Sequence, residues 1–314
     1  MADLSSFDMG LGKPERAERL RNGRRHGTSA TQRSGLPGVS QGVGSFLMLL
    51  PIILFLTLAL VAPFAVGASP TSQDLLGRLA PPVFLDGGSW AHPLGTDGLG
   101  RDILARIVSG ARLSLAIGAI AATVTAVFGV FAGVLSGAGG RWLDGSITLL
   151  ADVVMAVPFI VIGIVLTAIL GQSVPNVLAI LIVGGWVGYQ RVLRLQTRSL
   201  IRSEFVEASF QFGASRWHVF HRHLIPNLLP ILLLLFFQQI AAMMLFEASL
   251  TYLGLGLPVE RITLGGMVHD GQEQIFNGWW VSVFPGIAIA LAVVGFNLFA
   301  DWLQERRDPS RHWT

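Results

Sequence analysis

Residues 204–227 read EFVEASFQFGASRWHVFHRHLIPN. This polar stretch, carrying Arg and His, separates one apolar run ending near Leu193 from another beginning near Leu228. Both runs have the character of membrane spans, so the stretch between them must lie in water beside a bilayer. Its own signals predict an elbow. Glu204 to Phe212 suits a short helix, Gly213 permits a sharp turn, and Ala214 to His223 suits a second helix. Pro226 then marks the start of the next span. Such an elbow exposes Phe210, Phe212, Trp217 and Phe220. Apolar anchors on a water-facing element point to a protein partner. Aromatics also seat loops at the lipid interface, but Phe210 and Phe212 flank the glycine turn, which favours the partner.

The rest of the chain supports a membrane setting. Of 314 residues, 52% are hydrophobic and only 13% charged, against about 25% charged in an ordinary soluble domain. The mean hydropathy is +0.61. A helix needs roughly 20 apolar residues to cross the hydrocarbon core. About six stretches qualify, near Val43–Val66, Leu113–Ser136, Ile147–Leu170, Val177–Leu193, Leu228–Leu250 and Val281–Ala300. None alternates with the period of two that a membrane barrel requires. The fold class is therefore an all-α polytopic membrane protein. Some 40 polar residues precede the first run, too many for the charged start of a signal peptide, so that run should remain as a helix. Cysteine is absent, which excludes disulfide and thiol chemistry.

Basic residues orient the spans, because Lys and Arg accumulate in cytoplasmic loops. With both termini and the 204–227 loop inside, seventeen of the 22 basic residues fall on the cytoplasmic side. Five fall outside: Arg78, Arg101, Arg106, Arg112 and Arg261. The opposite orientation inverts that ratio.

Along the chain, residues 1–41 read as a basic, disordered cytoplasmic tail, and 42–66 as the first transmembrane helix. The extracytoplasmic segment 67–112 is broken by Pro70, Pro81, Pro82 and Pro93. Its final part, RDILARIVSGAR from Arg101, has an apolar periodicity (Ile103, Leu104, Ile107, Val108) that predicts an amphipathic helix lying on the outer surface and leading into the second span. Residues 113–303 form a core of about five spans containing the loop 198–227, and 304–314 form a cytoplasmic tail. Gly118, Ala122, Gly129 and Gly133 fall on or near one face of the second span, which allows close helix packing. Pro158 and Pro285 predict kinks.

The chain encodes no energy source of its own. A phosphate-binding loop needs G-x-x-x-x-G-K-[ST], and the single lysine, Lys13, stands in GKPE. Motifs of hydrolases and metalloproteases are also missing, so the chain is not read as an enzyme. Within the spans, Asp152 and Glu247 are the acids; each is either a polar lining of a translocation path or a snorkelling or interhelically bonded carboxylate. His218, His221 and His223 lack metal-ligand spacing and read as surface cations. His92, Asp97 and Asp102 read as turn and capping residues rather than a metal or substrate contact. GTDGLG has no preceding strand and is not a dinucleotide fingerprint.

The elbow's spacing resembles the cytoplasmic loop of ABC importer permeases, whose pattern is E-A-A, three residues, G, nine residues, then I-x-L-P. Here Glu207-Ala208-Ser209, Gly213 and His223-Leu224-Ile225-Pro226 occupy those places. Ser replaces the second Ala, His the Ile, and Ile the Leu. The ending RH-x-x-PN is similar to the dipeptide/oligopeptide/nickel class. So are HPLGTDGLGRDILARIVSGARLSL, GRWLDGSITLLADVVMAVP, EASLTYLGLGLP and FPGIAIALAVVGFNLFADWL, and the order of motifs is that of the second of two permeases in such systems. The likeness spans about His92 to Pro309. Where the class usually has Trp-Gly after LGLGLP, this chain has Leu264-Gly265, a change expected in the outer loop facing the binding protein.

The resemblance implies a type I ABC importer permease fold in a bacterial inner membrane. It further implies a partner permease, two ATPase subunits that bind ATP and Mg, and an extracytoplasmic binding protein. No cofactor is expected in this chain, and no nucleic-acid partner. Glu207, Ala208, Ser209 and Gly213 would carry coupling, with Phe210, Phe212 and Trp217 adding docking area, and Glu247 a polar point on the path. Dipeptides, longer peptides, nickel chelates and other small solutes all suit the class, and no residue here selects among them. A secondary transporter or a membrane scaffold would need no ATPase, so dependence of uptake on ATP discriminates.

Overall fold

The computed structural model describes residues 41–65 and 67–307, so nearly all of the predicted basic tail and residues 308–314 lie outside the described residues. Helix α1, Gln41–Leu56, runs on through a π turn, Thr57–Val61, and a last helical turn, Ala62–Ala65. An irregular outer segment follows, and then α2, Ile103–Ala138, of 36 residues. Next come α3, Arg141–Ala156, and α4, Phe159–Leu170, followed by α5, Val174–Ile201. The loop region holds α6, Glu204–Gln211, and α7, Arg216–Val219, with a π turn, Phe220–Leu224, leading into α8, Ile225–Tyr252. The chain closes with α9, Leu264–Gly271, and α10, Trp280–Arg307.

Five of these stretches are long and apolar enough to cross a membrane, and the α3–α4 pair counts as a sixth if taken together. That pair differs from the single kinked span expected over Ile147–Leu170. It bends by 84°. Pro158 has no N–H to continue α3, and it holds Val157 in extended backbone at φ −96°, ψ 123°. Its carbonyl then accepts from Val161 at 2.9 Å and starts α4. Pro285, by contrast, lies inside α10, which continues through it unbroken.

A second expectation fails at the start of α2. The segment from Arg101 is not a helix lying on the outer surface. Asp102 caps it, its carboxylate accepting from Ala105 N–H at 2.7 Å, and the helix continues into the span as expected. Ile103, Arg106, Ile107 and Val108 are all buried, because the outer segment 67–102 folds back over them. The return is fixed by Thr96, which accepts from Trp280 Nε1 at 3.1 Å and donates its own N–H to the Ala80 carbonyl. At the other end, α10 extends to Arg307, past the boundary at 304 expected for a tail.

Small residues set the main helix pairing. Gly129, Gly133 and Gly137, one per turn of α2, face Tyr189, Leu193 and Thr197 of α5. A Cβ on Gly133 would lie 2.7 Å from Leu193 Cβ, and one on Gly137 2.7 Å from Thr197 Cβ. No real carbon is tolerated there, so only glycine lets the two backbones meet. Gly118 makes the equivalent approach to Met244 of α8. Helices α2, α5, α8, α9 and α10 close one apolar core that includes Ile103, Ile117, Met243, Leu264 and Phe296. Leu264 is fully buried in it. Its replacement of the usual Trp is therefore a change in the core, not in an outer loop.

Candidate functional site

The elbow is built from short local rules. Glu204 and Glu207 stand in the first turn of α6, where carboxylates suit the positive end of a helix. The helix ends in a Schellman motif: Ala214 N–H donates to the Ser209 carbonyl and Gly213 N–H to that of Phe210, both at 3.0 Å. Gly213 takes φ +82° there, in the left-handed region that side chains resist. Ser215 then caps α7, accepting from His218 N–H at 3.2 Å. The helix does not stop at Pro226. From Arg216 it runs to Tyr252 as one body of 37 residues. The π turn over Phe220–Leu224 widens the backbone immediately before the proline, whose missing N–H breaks the regular ladder at that point.

Two buried valines hold the elbow down. Val206 of α6 and Val219 of α7 pack with Leu193 of α5 and Leu228 of α8 in a second, smaller core. A polar strut crosses between the arms: Ser209 Oγ lies 3.1 Å from His223 Nε2. These are two of the positions at which the loop departs from the Ala and Ile of the pattern it resembles. The two departures therefore meet in one hydrogen bond.

The outer surface of the elbow remains apolar and uncovered. Phe212 is 91% exposed and Trp217 70%; Phe210 is exposed as well, and so is Phe205, which the sequence reading missed. Phe205 belongs to the same helix and could have been found by its one-turn spacing from Ser209. Phe220 behaves differently from expectation. It turns partly inward against the small core, stacking on Trp217 at 5.9 Å. Of the residues singled out, Glu207, Phe210, Phe212, Gly213 and Trp217 thus share the exposed side, whereas Ala208 and Ser209 are partly buried beneath it.

Polar ties that no local motif announces lie beneath the loop. Asp144 of α3 is buried and accepts from both Nε and Nη2 of Arg194, the latter at 2.8 Å. It also accepts from Arg198 Nη2 at 2.8 Å. Two arginines spaced four apart on α5 are thereby fastened to one carboxylate 50 and 54 residues away in sequence, next to the point where α5 turns into the elbow.

The two intramembrane acids occupy different settings. Glu247 is fully buried, accepting from Ser114 Oγ of α2 at 2.9 Å and from Thr251 Oγ1 at 3.0 Å. Ser114 also accepts from Leu264 N–H, so Glu247 ties α8 to α2 and α9 and has no exposed surface. Asp152 instead bonds to Arg191 of α5 at 2.8 Å on an open face. Outside the membrane, Asp97 and Asp102 serve the turn and cap. Asp97 accepts from Leu99 and Arg101 N–H, and Asp102 also meets His92 Nδ1 at 2.8 Å. No cluster of three or more ligands able to hold a metal is found among the described residues.

A family model described as binding-protein-dependent transport system inner membrane component matches residues 127–312. The chain is 34% identical over 258 residues to the probable D,D-dipeptide transport system permease protein of Escherichia coli K12, covering 82% of this chain and 85% of that one. It is 33% identical over 260 residues to the dipeptide transport system permease protein of Bacillus subtilis 168, covering 82% and 79%. Among solved structures, a chain of the inward-facing methionine ABC transporter MetNI superposes with a TM-score of 0.53 at 18% identity, covering 64% of this chain and 95% of that one.

Proposed function

The chain belongs to the family of binding-protein-dependent transport system inner membrane components, and from that premise we propose that it imports short peptides as one permease of an ATP-driven complex. It is a multi-pass protein of the bacterial inner membrane, with the fold of type I importer permeases. The observation that carries the proposal is the elbow at 204–227: two short helices joined by the Gly213 turn and the Ser215 cap, anchored by Val206 and Val219, that hold Phe210, Phe212 and Trp217 toward water. An element so braced on its inner side and apolar on its outer side is suited to receive force from a docked protein.

In this reading an ATPase subunit receives α6 in a groove. ATP and Mg are held by two such subunits, a second permease completes the path, and an extracytoplasmic protein delivers the solute. Glu207, Ala208, Ser209 and Gly213 shape the docking helix and its end, and the aromatics supply its contact area. The names of the relatives, which are dipeptide permeases, support short peptides as the cargo. Movement of α6 would pass to α5 through Val206 and to α8 through the unbroken α7–α8 helix.

The test is uptake of a labelled dipeptide by cells expressing the intact system. Uptake should cease when ATP is depleted with the proton gradient maintained; its persistence would instead indicate an ion-coupled carrier. Gly213→Asp should abolish transport while leaving membrane insertion intact, since it puts a carboxylate on the exposed turn that closes the docking helix, at the end where negative charge is disfavoured. Normal uptake by that variant would overturn the coupling role.

A further inference from the structure

The glycines of α2 decide where its neighbours leave a gap. Gly118 brings α8 close to α2 toward the outer end, but Gly129, Gly133 and Gly137 turn the cytoplasmic half of α2 to α5 instead. The next stripe along, Ala126, Val130 and Val134, borders a groove whose other wall is Leu232 and Phe236 of α8. Phe220 stands at its cytoplasmic end. The groove measures about 580 Å³, and every side chain that lines it is apolar. Spread along α2 from Ala126 to Leu135 at about 1.5 Å per residue, that volume leaves a channel about 7 Å across. A helix, 10–12 Å wide with its side chains, cannot enter it. A hydrocarbon chain, one carbon wide and with contacts at about 4 Å, can.

The mouth of the groove has the opposite character. The Trp217 ring stacks on Phe220, and the His221 ring lies 4.1 Å from Trp217 and 5.2 Å from Phe220. Arg216 stands one turn before Phe220, whose N–H donates to the Arg216 carbonyl, so the two share a face of the helix. Arg216 is exposed, and among the described residues its side chain forms no ion pair or hydrogen bond. An apolar slot thus opens beside an unpaired guanidinium, an imidazole and an indole. The orientation set by the basic residues puts this end at the cytoplasmic leaflet, whose surface is negative.

We propose that the groove between α2 and α8 binds one acyl chain of an anionic phospholipid of the cytoplasmic leaflet, with the phosphate held at the mouth by Arg216 and His221. Both ends of such a molecule find their match here. The chain fills a slot that neither water nor a helix occupies well, and the guanidinium donates to the phosphate oxygens in charge-assisted bonds. Trp217 sits at the level where indole rings favour the headgroup region. A chain seated in the groove packs against Phe220 and so lies beneath α7, on the side opposite the water-facing surface of the elbow. Binding of the lipid follows from this geometry whether or not the chain imports peptides.

Photolabelling of the assembled complex in nanodiscs tests this. Phosphatidylglycerol and phosphatidylethanolamine probes, each with a diazirine on one acyl chain, are compared at equal density, and labelled residues are mapped by mass spectrometry. The phosphatidylglycerol probe should label Val130 and Leu232 in preference to the other, by about fivefold for each basic contact at the mouth. Arg216→Gln with His221→Gln, both at the surface, should bring the two probes level without loss of the other subunits on purification. Leu233→Trp, which fills the groove, should remove the label from Val130 with either probe. Equal labelling by the two probes in the unaltered complex would make the groove a place for any bilayer lipid and overturn the headgroup assignment. So would a preference that survives the double change. Absence of label from the groove, with label elsewhere on the chain, would show that another subunit covers it and refute the site.

Discussion

Single residues decide how stiff the elbow is. The Ser209–His223 strut spans 3.1 Å, and a side-chain hydrogen bond of this kind contributes about 0.5–1.5 kcal/mol. Ser209→Ala alone should therefore lower the thermal stability of the purified transporter slightly, because His223 loses its partner. Ser209→Ala combined with His223→Ile should recover most of the loss by restoring an Ala–Ile contact. A double-mutant cycle on melting temperature measures this, and strict additivity of the two single changes would show that the strut contributes nothing. Asp144 is more exacting. Asp144→Ala strands Arg194 and Arg198 with no acceptor, and should destabilise the chain by about 1–3 kcal/mol. The effect should appear as detergent-induced unfolding at lower temperature, and Asp144→Glu should lie between the two.

At the scale of elements, the α2–α5 contact is the joint from which the loop hangs, since α5 leads directly into α6. Gly133→Leu places a branched side chain where even a Cβ would sit 2.7 Å from Leu193 Cβ. Overpacking of this kind costs about 1–3 kcal/mol, and in a lipid setting the helices can also separate. Protein yield in membranes and uptake should both fall. Gly145→Leu, at a position with open space, should leave yield unchanged. Equal yields for the two would show that the close approach is not needed. The π turn before Pro226 belongs to this scale as well. It lets one helix carry the cytoplasmic elbow and the membrane span without a joint, so displacement of α7 moves α8 as a body.

For the whole molecule, the asymmetry of basic residues sets which way the bundle sits. Leu76 in the outer segment and Phe212 on the elbow are both almost wholly exposed, and the chain lacks cysteine. Leu76→Cys should react with an impermeant maleimide added outside spheroplasts, and Phe212→Cys only after permeabilisation. Labelling of both from one side would refute the orientation. The outer segment 67–102 is bound to the bundle through Thr96 and Trp280, which makes it part of the core's outer face rather than a free loop.

The legible features were those with a local cause. Six apolar runs, the charge ratio and Gly213 at the turn all act within a few residues, and each was visible in the sequence, whereas the Ser215 cap of α7 was not singled out. The features that were not legible depend on partners far along the chain. Nothing in RDILARIVSGAR reveals that residues 67–102 fold back to bury it, so its apolar face read as a surface helix. Nothing near Asp144 announces Arg194 and Arg198, and Ser209 and His223 appeared only as two departures from a pattern. Hydrophobic length and positive charge fix insertion and direction because the bilayer acts on each segment separately. Which carboxylate meets which arginine, and which face of the bundle is left polar and open, follows only from how the helices pack, since in lipid that contact is made by shape and hydrogen bonding rather than by hydrophobic drive.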